Sequence, residues 1–212
     1  MSRPAIPIPR LILGSRSPRR VALLQQLELP FEQLPSPEEE LPPGKNGPRA
    51  HVVASASAKA RAVHRVVQQR RADNNSPTIV IGVDTIVYLD GEIMGKPGDP
   101  EEAAHMLQRL SGHSHQVYTG LTLICADDRE LRDWAKTRVR MGQLSDADIR
   151  AYVRSGEPLD KAGAYGIQGL GARFIEHIEG CYYNVVGLPL ARLATLLEKA
   201  GYDFSATSDD TI

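Results

Sequence analysis

Apolar and polar positions along this chain fall into short blocks that switch between the period of a strand and that of a helix. An apolar run at 11–14 predicts a buried strand. Residues 18–29 place Val21, Leu24 and Leu27 on one helical face, so a strand feeds a helix. Residues 31–34 predict a short second strand, and 35–48, rich in proline and glycine around Glu38, Glu39 and Glu40, predict a loop with an acidic cluster. Residues 50–72 are rich in Ala, Val, Arg and Gln, carry Lys59 near the middle, and predict the longest helix. After a break at 73–77, the β-branched run 78–81 predicts a strand entering Gly82-Val83-Asp84-Thr85. A second strand at 86–89 ends at the Asp90-Gly91 hairpin turn, and 92–97 continue as an edge strand or loop.

Asp99, Pro100, Glu101 and Glu102 then open a helix with an N-cap, a proline at its first position and acids in its first turn; Gly112 stops it. Residues 117–125 and 130–141 flank Asp127-Asp128 and predict a long antiparallel pair; His113 and His115, just before it, alternate on a predicted strand as surface residues do. Ser145 caps a helix running to about Ser155, with Gly156 as its stop. Residues 157–171 are glycine-rich and without periodicity. Residues 173–178 and 182–186, joined by Glu179-Gly180, predict a last hairpin, and 189–200 a last helix. Residues 1–10 form an N-terminal extension, 11–204 the domain, and 205–212 a polar tail expected to be disordered. The mixture of crossovers and hairpins predicts an α/β fold with a mixed sheet flanked by helices, not a purely parallel doubly wound one.

At 212 residues and 23.2 kDa, the chain suits one large domain or two small lobes. Net charge is −1 and the pI about 6.6, which gives no argument for a nucleic-acid or anionic-membrane partner. Cys125 and Cys181 lie far apart without C-x-x-C spacing, which suits a reduced compartment and offers no zinc or disulfide framework. The proline-rich start lacks the apolar core of a secretory signal, and no apolar run approaches the ~20 residues of a membrane helix. A cytoplasmic protein is the expectation.

The candidate chemistry begins at 15–20, S-R-S-P-R-R, where Ser17 suits the N-cap and Pro18 the first helical position. Arg19 and Arg20 there oppose the positive end of the helix dipole, by roughly 0.3–1 kcal/mol each, unless an anion sits among them. One reading is a phosphate site of Ser15, Ser17, Arg19 and Arg20; the other is a capped surface helix with solvated arginines. Asp84 interrupts an otherwise buried run, so it is hydrogen-bonded, metal-bound or at a strand end facing a cleft, or else Gly82 and Asp84 form a bulge. Glu39 and Glu40, taken alone, read as solvated loop acids, Lys59 as a surface lysine and Lys96 as a loop lysine. The long segment 157–171 is neither a P-loop nor a dinucleotide fingerprint, yet long loops in compact domains are usually functional. Basic groups, isolated carboxylates and a glycine loop together favour a phosphorylated small molecule with a divalent cation.

Six segments in order, S-R-S-P-R-R at 15–20, G-V-D-T at 82–85, G-K-P at 95–97, L-S-G at 110–112, Y-T-G at 118–120 and the stretch 158–171, resemble the successive motifs of the Maf family of nucleoside triphosphate pyrophosphatases. The resemblance runs from about residue 11 to 201. It implies two lobes around a deep cleft, similar to inosine triphosphate pyrophosphatases, and hydrolysis of a nucleoside triphosphate to monophosphate and pyrophosphate with Mg²⁺ or Mn²⁺. It implies Asp84 as the general base, Arg20, Lys59 and Lys96 on the triphosphate with Ser15 and Ser17 in the phosphate loop, and Glu40 with Asp84 at the metal. Arg19, Thr85 and Gln168 resemble the branch that prefers dTTP and UTP, where the 7-methyl-GTP branch carries Trp, Gln and Glu; a glutamine amide offers donor and acceptor to a pyrimidine edge. The chain departs from the pattern at Arg16, where glycine is frequent, and at Val83, where alanine is. The resemblance is compatible with a homodimer and calls for neither nucleic acid nor membrane. A nucleotide-binding regulator of cell division with little turnover, and a phosphomonoesterase, are the alternative classes.

Overall fold

The apolar run near the start of the chain forms strand β1 (Arg10–Leu13), its last three residues buried, and passes through Gly14 to Ser17 into helix α1 (Pro18–Gln26). The structure, a computed structural model, describes residues 9–38, 41–42, 46–70 and 77–205. Most of the N-terminal extension, Glu39, Glu40, the break at 73–76 and the tail beyond 205 lie outside the described residues. Strand β2 (Phe31–Gln33) pairs parallel with β1, and helix α2 (Gly47–Arg70) is the longest element, as its Ala-rich composition predicts. Strand β3 (Thr78–Leu89) follows, turns at Asp90-Gly91, both at positive φ, and returns as β4 (Glu92–Met94).

Helix α3 (Pro100–Leu110) starts where its cap predicts: the Asp99 carboxylate accepts the Glu102 N–H, and Ser111 with Gly112 at φ +69° ends it. Strands β5 (Ser114–Ile124) and β6 (Glu130–Met141) form the long antiparallel pair, and helix α4 (Asp146–Arg154) opens on a reciprocal Ser145–Asp148 cap. Residues 157–174 wind through three short 3₁₀ turns into β7 (Ile175–Glu179), followed by the short helix α5 (Tyr182–Val186) and by α6 (Leu190–Lys199). Among the described residues the sheet runs β2-β1-β3-β5-β6-β7, with β4 on β3; the β2–β1–β3 pairs are parallel and the others antiparallel. The mixed sheet with flanking helices expected from the sequence is the fold observed.

Three sequence expectations need correction. Residues 78–89 are one uninterrupted strand, not two separated by a bulge at Gly82–Thr85. Gly82 is there because helix α2 lies against it: a Cβ would stand 2.3 Å from the Ala56 carbonyl oxygen and 2.6 Å from the Ala60 Cβ. Gly120 on β5 does the same under Val52. Residues 182–186 form a helix, not the second arm of a hairpin. Asn184, fully buried, donates to the Val117 carbonyl and to Thr137 Oγ1, while the Cys181 N–H also binds Thr137 Oγ1, and these tertiary bonds override the strand-like composition. His115 is 2 % exposed, its Nε2 2.6 Å from the Tyr165 hydroxyl, and so belongs to the interior; His113 remains exposed.

Among the described residues the two largest of four apolar clusters form separate cores. One gathers Leu11, Leu13, Leu24, Ile81, Val83, Leu121 and Leu188 with Leu190, Leu193, Leu196 and Leu197 of the last helix; the other gathers Val87, Leu89, Leu107, Leu110, Val139, Met141 and Tyr152. Strand β3 crosses between them.

Candidate functional site

Strand β5 pairs with β3 from Val80 to Tyr88 along one edge. The opposite edge is shared: β1 takes Thr78–Ile81 and β4 takes Val87–Leu89. Residues 82–86 therefore face a gap between two strands, and the gap opens into a cavity of about 910 Å³ between the two cores. Along β3, Ile81 and Val83 enter the first core and Val87 the second, which sets Thr85 at the divide. Asp84 points the other way, toward α2, on the face that Gly82 lets the helix approach.

Close packing on Gly82 brings Lys59, next to Ala60 in α2, onto Asp84, with Nζ 2.5 Å from Oδ1. Both side chains are largely buried, at 13 % and 9 % exposed, so each neutralises a charge that would otherwise be costly there. Asp84 Oδ2 has no hydrogen-bond partner among the described residues and is left to the cleft.

Arg20 closes part of the open edge. Its Nε donates to the Gly187 carbonyl (2.9 Å), Nη1 to Ser15 Oγ (3.0 Å) and the Val83 carbonyl (3.2 Å), and Nη2 to Thr85 Oγ1 (3.0 Å). A planar fork suits four acceptors spread over β3, the loop after β1 and the end of α5, and no other side chain offers one. Thr85 Oγ1 lies 3.0 Å from Thr119 Oγ1, whose hydroxyl donates to the Asn184 carbonyl, so the anchored α5 also fixes Thr85. Ser17 takes the N-cap position but makes no capping bond; the Ser17 N–H goes instead to Ser15 Oγ.

The cleft's far wall is the glycine-rich segment. Arg19 reaches across to Asp160 (2.9 Å), and Lys161 also binds Asp160 (2.6 Å). Burial pushes the Asp160 carboxyl up, but the hydrogen bonds from Lys161 and Arg19 outweigh it and hold the group below the usual carboxylate range. Gln168 lines the same wall.

Ser15, Ser17, Arg19, Arg20, Lys59, Asp84, Thr85, Lys96 and Gln168 thus line one cavity, although they come from segments spread over 154 positions from Ser15 to Gln168 in the 212-residue chain. Glu40 lies outside the described residues. Glu38 of the acidic cluster and Asp160, Lys161 and Tyr165 of the glycine-rich stretch also line the cavity, although the sequence assigns no role to any of them individually. The partners of Arg19 and Lys161 at Asp160 carry no local signal, since Arg19 and Asp160 are 141 positions apart. Arg16, Arg19, Arg20, Lys59, Lys96 and Lys161 face Glu38, Asp84 and Asp160: six cations against three carboxylates, a net of +3 among the described lining residues. A chain of net charge −1 has concentrated positive charge in its cleft, which focuses anions there.

Among the described residues no three His, Cys, Asp or Glu side chains cluster as a self-sufficient metal site. The donor set is nevertheless one Mg²⁺ accepts, because that ion keeps several waters and binds through one or two carboxylates plus substrate phosphates. Asp84, with Oδ2 toward the cavity, supplies a hard oxygen of that kind.

Fold and site together define a mixed α/β protein with a cation-lined cleft, one buried carboxylate at a gap in the sheet, and a glycine-rich wall opposite. Residues 10–200 match the Maf-like protein family, and the chain belongs to it. It is similar to a dTTP/UTP pyrophosphatase of Caldicellulosiruptor saccharolyticus, 43% identical over 195 residues that cover 92% of this chain and 96% of that one. It is also similar to a dTTP/UTP pyrophosphatase of Pelotomaculum thermopropionicum, 46% identical over 194 residues, 91% of this chain and 97% of the relative. Among solved structures, a HAM1 protein from Coxiella burnetii aligns with 91% of this chain and all (100%) of its own at 15% identity and a TM-score of 0.46.

Proposed function

We propose that this protein is a nucleoside triphosphate pyrophosphatase acting on dTTP and UTP, and on modified pyrimidine triphosphates of the same shape, a housecleaning hydrolase that releases the monophosphate and pyrophosphate. The observation that carries the reading is the Lys59–Asp84 pair at the open edge of β3 inside a cleft with an excess of cations. The relatives' names give the substrate class.

A water oxygen attacks the α-phosphorus, the bond from that phosphorus to the β-phosphate oxygen breaks, pyrophosphate leaves, and Asp84 takes the proton from water. Lys59 neutralises Asp84 before substrate arrives. When the triphosphate enters, its oxygens compete for the ammonium, and Lys59 shifts toward them and frees the carboxylate as a base. Lys96 and Arg20 meet the phosphates from the β4 side and the α1 side, and Ser15 and Ser17 lie beside them at the start of α1. A divalent cation, Mg²⁺ or Mn²⁺, held by Asp84 and by Glu40, would offset charge on the phosphates. Arg19, Thr85 and Gln168 select the base, through an amide that offers both donor and acceptor to a uracil or thymine edge.

With Lys59, Lys96 and Arg20 on one polyanion, the chemistry is mostly positioning and electrostatics. Incubation with each common and several modified triphosphates plus Mg²⁺ or Mn²⁺, with identification of the products, tests the reading. The expected result is dTMP and UMP with pyrophosphate; orthophosphate release, or preference for 7-methyl-GTP over dTTP and UTP, would overturn it.

A further inference from the structure

Gln168 sits at the crown of an arch, residues 166–171, whose two feet are tied to one pair of side chains outside it. At one foot, the Gly166 N–H donates to the Tyr152 hydroxyl (3.2 Å). That hydroxyl in turn donates to Glu157 Oε1 (2.9 Å). At the other foot, the Glu157 carboxylate accepts the Gly171 N–H on Oε1 (3.1 Å) and the Leu170 N–H on Oε2 (2.9 Å). Tyr152 comes from α4 and is 2 % exposed, its ring edge-on to Phe174 at 5.2 Å, so its hydroxyl is fixed by the core. Glu157 follows Gly156, whose φ of +76° turns the chain back toward the arch.

The glycines of the arch are what this tie requires. A Cβ at Gly171 would stand 2.5 Å from the Tyr152 hydroxyl and 2.7 Å from the Gly166 carbonyl, and one at Gly169, φ +72°, would stand 2.7 Å from Glu157 Oε2. The Gln168 amide itself has no hydrogen-bond partner among the described residues, so nothing but the backbone beneath it sets where it points. Burial pushes the Glu157 carboxyl up, yet the Leu170 and Gly171 N–H groups, the Tyr152 hydroxyl and Lys161 together hold it below its ordinary value, and it stays ionised as an acceptor.

We propose that Tyr152 and Glu157 are positioning residues for base selection, clamping both feet of the arch so that Gln168 meets the pyrimidine edge in one orientation. The proposal rests on the dTTP/UTP reading of the site, and on Gln168 as the base-facing residue within it. Neither Tyr152 nor Glu157 lines the cavity. Their loss therefore widens base selection while leaving the chemical step in place.

The test uses Glu157→Gln and Tyr152→Phe in the full chain, each alone and combined with Gln168→Ala, with kcat and KM for dTTP and for dCTP, which differs at the base edge. In Glu157→Gln, one amide oxygen cannot accept both N–H groups and the new NH₂ faces a donor. The expected result is a loss on the order of tenfold in kcat/KM for dTTP, carried by KM, with dCTP little changed and the dTTP/dCTP ratio narrowed by a similar factor. In the Gln168→Ala background the same substitution should add nothing further, because the clamp acts through Gln168. An unchanged dTTP/dCTP ratio, or losses that multiply in that background, would overturn the proposal. Tyr152→Phe keeps the core ring and carries the same comparison if Glu157→Gln does not fold. Amide exchange at Leu170 and Gly171 separates the two ways to fail. Protection that survives in Glu157→Gln overturns the clamp alone, whereas a parent enzyme with no preference among bases overturns the substrate reading and the selective role together.

Discussion

Gly82→Ala is the substitution that most directly probes how the fold sets the site. The added methyl would stand 2.3 Å from the Ala56 carbonyl oxygen and 2.8 Å from the Ala60 nitrogen, and neither is the end of a flexible side chain. To restore a contact of at least 3.0 Å, helix α2 must retreat from β3 by about 0.7 Å along that contact. Overpacking of this kind costs about 1–3 kcal/mol, and backbone obstacles place it near the upper end. For a domain of this size, about 3 kcal/mol lowers Tm by roughly 6–12 °C. The same retreat carries Lys59 off Asp84, and a misplacement approaching 1 Å reduces kcat/KM by roughly 10- to 100-fold. Calorimetry gives the first number and pyrophosphate release from dTTP the second. A variant with parental Tm would refute the close-packing argument, and one that loses stability yet keeps parental kcat/KM would refute the claim that α2 places Lys59 for the reaction.

Burial pushes His115 from 6.5 down to about 4. Between those values the unfolded chain holds a proton that the folded chain does not, so stability rises with pH across the window and is lost on acidification through it. His115→Gln should therefore reduce the difference in unfolding free energy between pH 7 and pH 4.5 by about 2 kcal/mol in urea titrations, and an unaltered difference would show that His115 is not the buried titrating group. Arg20→Lys keeps the charge but replaces a planar fork with a single point; it takes the Arg20 donor from the Val83 carbonyl and leaves the Gly187 carbonyl only the long contact from Thr85 Oγ1 at 3.5 Å. It should cost about 2 kcal/mol in urea-induced unfolding and raise the KM for dTTP, whereas parental stability would contradict the keystone role of the fork.

Much of the fold is legible wherever one local rule dominates. The caps at Asp99 and Ser145, the Asp90-Gly91 turn and the alternation along β6 each fix an element without help from elsewhere. The expectation failed where tertiary contacts decide. Gly82 reads as a strand breaker until α2 is seen lying on it, and the Tyr182–Val186 run reads as a strand until Asn184 is seen bonded to β5 and β6. His115 looks like one of two alternating surface histidines because nothing local announces Tyr165, fifty positions later. In the site, Arg19 and Arg20 stand out because they oppose a helix dipole, and Asp84 because it is charged in an oily strand. Asp160, Lys161, Tyr152 and Glu157 have no such anomaly. Each looks like an ordinary polar residue near a turn, and its role comes from partners that only folding brings near.

Everything in the proposed chemistry converges on the proton that Asp84 accepts. Asp84→Asn keeps the side chain's shape and removes that capacity, so the purified variant should show the parental circular dichroism spectrum while kcat for dTTP falls by about 10²- to 10⁴-fold. Hydrolysis of dTTP by folded Asp84→Asn at the parental rate would contradict the account.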